Sequence, residues 1–154
     1  MEPEQLSFLR INGARLMQTM TQVGAIGALA DGGVNRLAFT PADREARQQV
    51  RRWMAEAGMA VTVDAAGNII GRYLGCDGLA PALATGSHLD TVPNAGIYDG
   101  TYGVLAGLEV VRTLGEQNRR LDHSIEVIVF ADEERTMIGS KAIAGKASTD
   151  PEFY

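Results

Sequence analysis

Apolar residues recur along the chain with two periods, and the change from one to the other marks the predicted elements. From Phe8 to about Gln22, Leu9, Leu16, Met17 and Met20 form the apolar stripe of a helix. Gly24 to Asn35 is glycine-rich and predicts a loop. A second helix is announced by its first turn: Thr40 as N-cap, Pro41 at the first helical position, and Asp43 where a capping box places its acid. Ala46, Val50, Trp53, Met54 and Ala57 continue it at helical spacing, and Gly58 is placed to stop it. The period then shortens to two. Ala60 to Asp64 and Asn68 to Leu74 predict two strands joined by a turn at Ala65 to Gly67. Ala82 to Gly86 predicts a short strand, Gly103 to about Gln117 a buried helix, Ser124 to Ala131 the strongest strand, and about Gly139 to Ala147 a last helix.

Strands alternating with helices in the second half predict an α/β fold with a mixed, largely parallel sheet flanked by helices. Four strands leave a bare sheet edge, which is a liability. The last four residues, Pro151 to Tyr154, bring no natural close. The expectation is therefore an incomplete domain.

Composition narrows the function classes. Of 154 residues, 45% are hydrophobic, which fits a folded globular chain. The net charge is -5 and the basic residues are scattered, which argues against a nucleic-acid surface. No apolar run approaches the roughly 20 residues of a membrane span. No secretory leader is evident, and the single cysteine, Cys76, excludes an intrachain disulfide, so a cytoplasmic location is expected.

Two segments carry chemistry: Gly86-Ser87-His88-Leu89-Asp90-Thr91, running on to Tyr98-Asp99-Gly100, and Asp132-Glu133-Glu134. Both lie near the carboxyl ends of predicted strands, where open α/β sheets build their sites. Imidazole and carboxylate donors suit Zn²⁺, Mn²⁺ or Co²⁺. Asp90, two residues after His88, can accept the other ring N–H and fix its tautomer. Asp99 sits among Gly96, Gly100 and Gly103, in a backbone that can bend tightly, and its two oxygens can bridge two metals. Glu133 and Glu134 point differently, so one can bind metal while the other acts as a base. The bland reading remains open beside this one. His-x-Asp is a common capped turn, and acids after a strand commonly open a helix. His123 precedes the strand whose far end leads to Glu134 and is not enlisted. Cys76 has no base nearby in sequence, and the glycine-rich turn lacks the lysine of a phosphate loop.

The runs Thr85 to Asn94, Tyr98-Asp99-Gly100, Gly103 to Val111, Asn35 to Thr40, Gly67-Asn68, Val129 to Glu134 and Gly139-Ser140-Lys141 together resemble the allantoate amidohydrolase, N-carbamoyl-L-amino-acid hydrolase and β-ureidopropionase family, part of the dinuclear zinc-peptidase-like group. The resemblance covers most of the chain. It implies a hydrolase of linear amide or ureido C–N bonds with two divalent ions (Zn, Mn or Co). It implies that His88 binds one metal, Asp99 bridges both, Glu134 binds the second and Glu133 is the general base, and that a cis peptide lies near Asp99. It also implies a small N-carbamoyl or ureido substrate, no nucleic-acid or membrane partner, and a full-length homodimer. Members carry a longer Arg-Phe-containing segment where only Arg135 to Ile138 stand here, and they take further histidines and a dimerisation domain from downstream sequence. The expectation is the N-terminal part of a catalytic domain, inactive alone. The alternatives are an aminopeptidase-like enzyme and a non-catalytic scaffold remnant.

Overall fold

The computed structural model describes residues 9–148 and Asp150. Its elements in chain order are α1 (Gly13–Gly24), α2 (Pro41–Glu56), β1 (Ala60–Val63), β2 (Ile69–Tyr73), β3 (Leu83–His88), α3 (Thr101–Glu116), β4 (Ile125–Phe130) and α4 (Ile138–Ile143).

The predicted start of the first helix, Phe8, lies outside the described residues; Leu9 to Asn12 are not helical, and the helix runs from Gly13. The Asn12 side chain caps it by accepting the Arg15 N–H at 3.0 Å, while the Asn12 N–H donates to Glu109. The buried stripe becomes Leu16, Met20 and Val23, and Met17 turns outward. The second helix starts as predicted. Thr40 Oγ1 accepts the Asp43 N–H, and the Asp43 carboxylate reaches back to the Phe39 N–H at 2.9 Å. It ends where Gly58 donates to the Ala55 carbonyl and Met59 to that of Met54, both at 3.0–3.1 Å. The last helix closes early, at Ile143, because Gly145 takes a positive φ of 66°.

The sheet order is β1-β2-β4-β3. It is mixed, as expected, but among the described residues one of its three pairings is parallel rather than most. β1 and β2 form the predicted hairpin, and β2 also pairs antiparallel with β4. Only β3 and β4 run parallel, with His88 beside Phe130. The reason is the hairpin: it turns β2 around before it enters the sheet, so β2 opposes β4.

One hydrophobic core lies on one face of this sheet. Ile69 and Tyr73 of β2 and Ile125, Val127 and Val129 of β4 share that face. Val50, Trp53 and Met54 of α2 and Val104, Leu108 and Val111 of α3 pack on it. The last helix of the three on this side, α1, packs on α3, where Arg15 pairs with the buried Glu109 through contacts of 2.7 and 2.9 Å. α3 approaches β3 closely through two glycines one turn apart. A β-carbon at Gly103 would stand 2.8 Å from Ser87 Cβ, and one at Gly107 would stand 3.0 Å from Thr85 Cγ2. This contact sets the start of α3 against the end of β3. No helix among the described residues is long and apolar enough to cross a membrane.

Candidate functional site

Because β3 and β4 are parallel neighbours, their carboxyl ends lie side by side, and the two predicted site segments leave from the same edge. His88 is the last residue of β3 and is buried. Its Nδ1 lies 2.9 Å from the main-chain carbonyl oxygen of Asp90. A carbonyl only accepts, so Nδ1 carries a proton, and Nε2 is the ring nitrogen left to face the site. Nε2 stands 3.7 Å from Glu133 Oε2.

The tautomer is therefore fixed by Asp90, but through its backbone. The carboxylate expected to do this stands 3.9 Å from Nδ1. Its Oδ2 instead accepts the Glu134 N–H at 3.1 Å, tying the end of β3 to the loop after β4. Its other oxygen is buried without a hydrogen-bond partner.

The loop after β4 is held from several sides. Asp132 and Met137 both take positive φ, 48° and 54°, which is costly for residues with side chains and persists only where the surroundings enforce it. The Met137 N–H closes on the Asp132 carbonyl at 2.7 Å, and the Gly139 N–H closes on that of Ala131 at 3.0 Å. Asn68, fully buried, clamps the base of the loop. Its Oδ1 accepts the Ala131 N–H at 2.9 Å, and its Nδ2 donates to the Gly139 carbonyl at 3.0 Å and to Asp64 at 2.8 Å. This loop presents Glu133 and Glu134.

His88, Glu133 and Glu134 each offer a donor atom within 4.8 Å of the others. Around one tetrahedral ion, donors at about 2.1 Å from the metal lie about 3.4 Å apart, so a small closure suffices. Asp99 stands outside this trio, yet its carboxyl shares a hydrogen bond with that of Glu134. Glu134 is accordingly held above the ordinary carboxylate range. Burial is the leading cause, followed by the Asp99 hydrogen bond; His88 opposes the shift, and the charges of Asp99 and Glu133 add to it. Three carboxyl groups gathered beside an imidazole make a donor set that fits a divalent cation.

No peptide bond among the described residues is cis, including those around Asp99. The bend there is made by Gly100 at φ 60° and ψ -51°, in a three-residue turn closed by the Thr101 N–H on the Asp99 carbonyl at 2.5 Å.

The remaining residues fall as the sequence places them. His123 is exposed, with Nδ1 2.7 Å from the Pro81 carbonyl, at the amino end of β4. Cys76 is free and exposed. Trp53 and Met54 are core, and Arg51 and Arg52 are exposed. Sequence reasoning did not single out Asn68 or Arg36 for any role in the site; the one signal for either was its place in a family-like run.

Comparison with known proteins identifies the family. The sequence pattern of peptidase family M28 matches residues 68–152, more than half of the chain and all of the site. The chain belongs to peptidase family M28. Within it, the chain is 48% identical over 140 residues to the N-carbamoyl-L-amino acid amidohydrolase of Geobacillus stearothermophilus, a match that takes in 88% of this chain and 34% of that enzyme. It is 39% identical over 123 residues to allantoate deiminase 1 of Glycine max, covering 75% of this chain and 26% of that protein. The crystal structure of a hydantoinase/carbamoylase family amidase from Burkholderia ambifaria superposes with a TM-score of 0.90 at 44% identity, over 94% of this chain and 36% of the other. This M28 chain thus spans about a third of the length of such relatives, and its resemblance to the carbamoyl-amino-acid and allantoate hydrolases holds.

Proposed function

We propose that this chain is the N-terminal part of the catalytic domain of a metal-dependent amidohydrolase that cleaves the C–N bond of small N-carbamoyl or ureido substrates. The observation that carries the reading is the convergence of donor atoms from His88, Glu133 and Glu134 within 4.8 Å of one another. The names of the relatives supply the substrate class.

Two divalent ions (Zn, Mn or Co) would be held here. His88, Asp99 and Glu134 would hold them, together with further ligands from sequence outside this chain. When bound, the metals supply a water acidic enough to ionise near neutrality and an electrophile for the substrate carbonyl. The chain's own part is to position and to move protons. Asp90 keeps the His88 proton on Nδ1 through its carbonyl. Glu133 is about one-third exposed, so it can take a proton from water at its carboxylate and deliver it to the departing nitrogen. On this reading the chain alone is inactive, and the full-length protein is a homodimer with a separate dimerisation domain.

The test uses the full-length protein with N-carbamoyl amino acids, allantoate and dipeptides, before and after chelation, beside Glu133→Gln. Hydrolysis of a ureido substrate should require metal and fall by about 10²–10⁴-fold in the variant, with metal still bound. Chelator-resistant hydrolysis, or an undiminished variant, would sink the proposal. Preference for dipeptides would favour the aminopeptidase reading that the family name invites.

A further inference from the structure

Arg36 is 1% exposed, an unusual place for a guanidinium. Its charge is met by four oxygens. Nε donates to the Leu89 carbonyl at 2.7 Å, and Nη1 to the Val23 and Ile26 carbonyls at 2.9 and 2.8 Å. Nη2 donates to Thr101 Oγ1 at 3.1 Å. Its main chain pairs in both directions with Thr91: the Arg36 N–H donates to Thr91 Oγ1 at 2.8 Å, and the Thr91 N–H donates to the Arg36 carbonyl at 2.9 Å. Burial pushes the Arg36 pKa down, and the charges of Asp43 and Asp90 push it up.

These partners are not scattered. Leu89 and Thr91 bracket Asp90, whose carbonyl fixes the His88 ring. Thr101 closes the turn that carries Asp99 and Gly100. That turn and the His88 ring are in contact, since a β-carbon at Gly100 would fall 2.5 Å from Nδ1. One planar, rigid group thus reaches both donor-bearing segments. A lysine, with a single point charge, cannot hold both. The Val23 and Ile26 contacts, by contrast, finish the end of α1 and are structural.

We propose that Arg36 is a positioning residue: it sets the distance and angle between the segment carrying His88 and Asp90 and the turn carrying Asp99. Its consequence for metal rests on the reading above; its consequence for His88 does not.

The chain has two histidines, so imidazole NMR gives one probe at the site and one far from it. Metal-free chain is compared with Arg36→Lys, Thr101→Val and the core control Val50→Ala. In the first two variants the His88 ring resonances should shift or split, while those of His123 stay in place. Val50→Ala should move neither. Thr101→Val removes only the link to the Asp99 turn and decides the matter if Arg36→Lys fails to fold. Unmoved His88 resonances in Thr101→Val, or equal movement in Val50→Ala, would overturn the proposal. A zinc titration on the same samples should show affinity about tenfold weaker in Thr101→Val, the loss typical of groups that orient a ligand. A wild-type chain that binds no zinc would fit a site whose remaining ligands lie outside this chain, and the NMR result alone would then judge Arg36.

Discussion

Gly100 lies directly against the His88 imidazole, so that a β-carbon on the glycine would fall 2.5 Å from Nδ1 and 2.6 Å from Nε2. The two residues come from different elements, and the contact leaves no room for a methyl group. Gly100→Ala should cost about 2–3 kcal/mol, because φ of 60° is strained for alanine and the ring must move. It should also weaken zinc binding by more than the stability loss alone accounts for. Chemical denaturation beside calorimetric titration measures both. An alanine variant with native zinc affinity would show that the His88 position is not set by this contact.

Asn68 joins the hairpin turn, the end of β4 and the start of α4 through its side-chain amide. Asn68→Ala leaves the Ala131 N–H and the Gly139 carbonyl without partners and should cost about 3 kcal/mol. Asn68→Asp should be worse, because it sets a second carboxylate where Nδ2 now lies 2.8 Å from Asp64. The order of urea midpoints, wild type above alanine above aspartate, checks this. An aspartate variant as stable as the alanine one would contradict it.

Glu134 gives the metal-free chain a definite pH dependence. Its folded pKa is raised above the ordinary value of 4.5, so the native state holds the proton more tightly than the unfolded state. Its contribution to stability is therefore complete below about pH 4.5 and is lost as pH rises through the raised folded value. In Glu134→Gln that decline should be absent. Urea melts at a series of pH values from 4 to 7 compare the two chains, and parallel curves would refute the assignment. Zinc affinity should run the other way and strengthen as pH rises, because the carboxyl must ionise to bind.

Arg15 and the buried Glu109 lock α1 to α3. Arg15→Met leaves the buried Glu109 carboxylate with only the Asn12 N–H and the more distant Arg112 and should cost about 3 kcal/mol, while the double variant with Glu109→Leu should recover most of the loss. Thermal melting of the single and double variants tests this; a double variant no better than the single would show that packing, not charge, dominates.

The sequence carries the elements better than their arrangement. Thr40, Pro41 and Asp43 mark the start of α2 because capping is local chemistry, read within four residues. The candidate site was legible for a related reason: His88 and Glu133-Glu134 sit at strand ends, and strand ends follow from apolar alternation. Direction in the sheet was not legible. That β2 lies beside β4 depends on contacts between residues about 55 apart, which no local pattern records. Arg36 and Asn68 escaped for the same reason. A polar residue looks solvent-facing in sequence, and only partners 53 to 71 positions away reveal it as buried. Asp90 meets the His88 ring through its carbonyl and not the carboxylate its residue type suggests, because a residue type says nothing about what its main chain does.

The parallel pairing of β3 with β4 also bears on how an ion is captured. His88 sits in the ladder beside Phe130, and the glutamates follow within four residues on a clamped loop. Those donors are ordered before any ion arrives, so little conformational entropy is lost in using them. Asp99 belongs to no ladder and is exposed. On the proposed reading, the ordering cost of holding an ion would therefore fall on Asp99 rather than on the sheet edge.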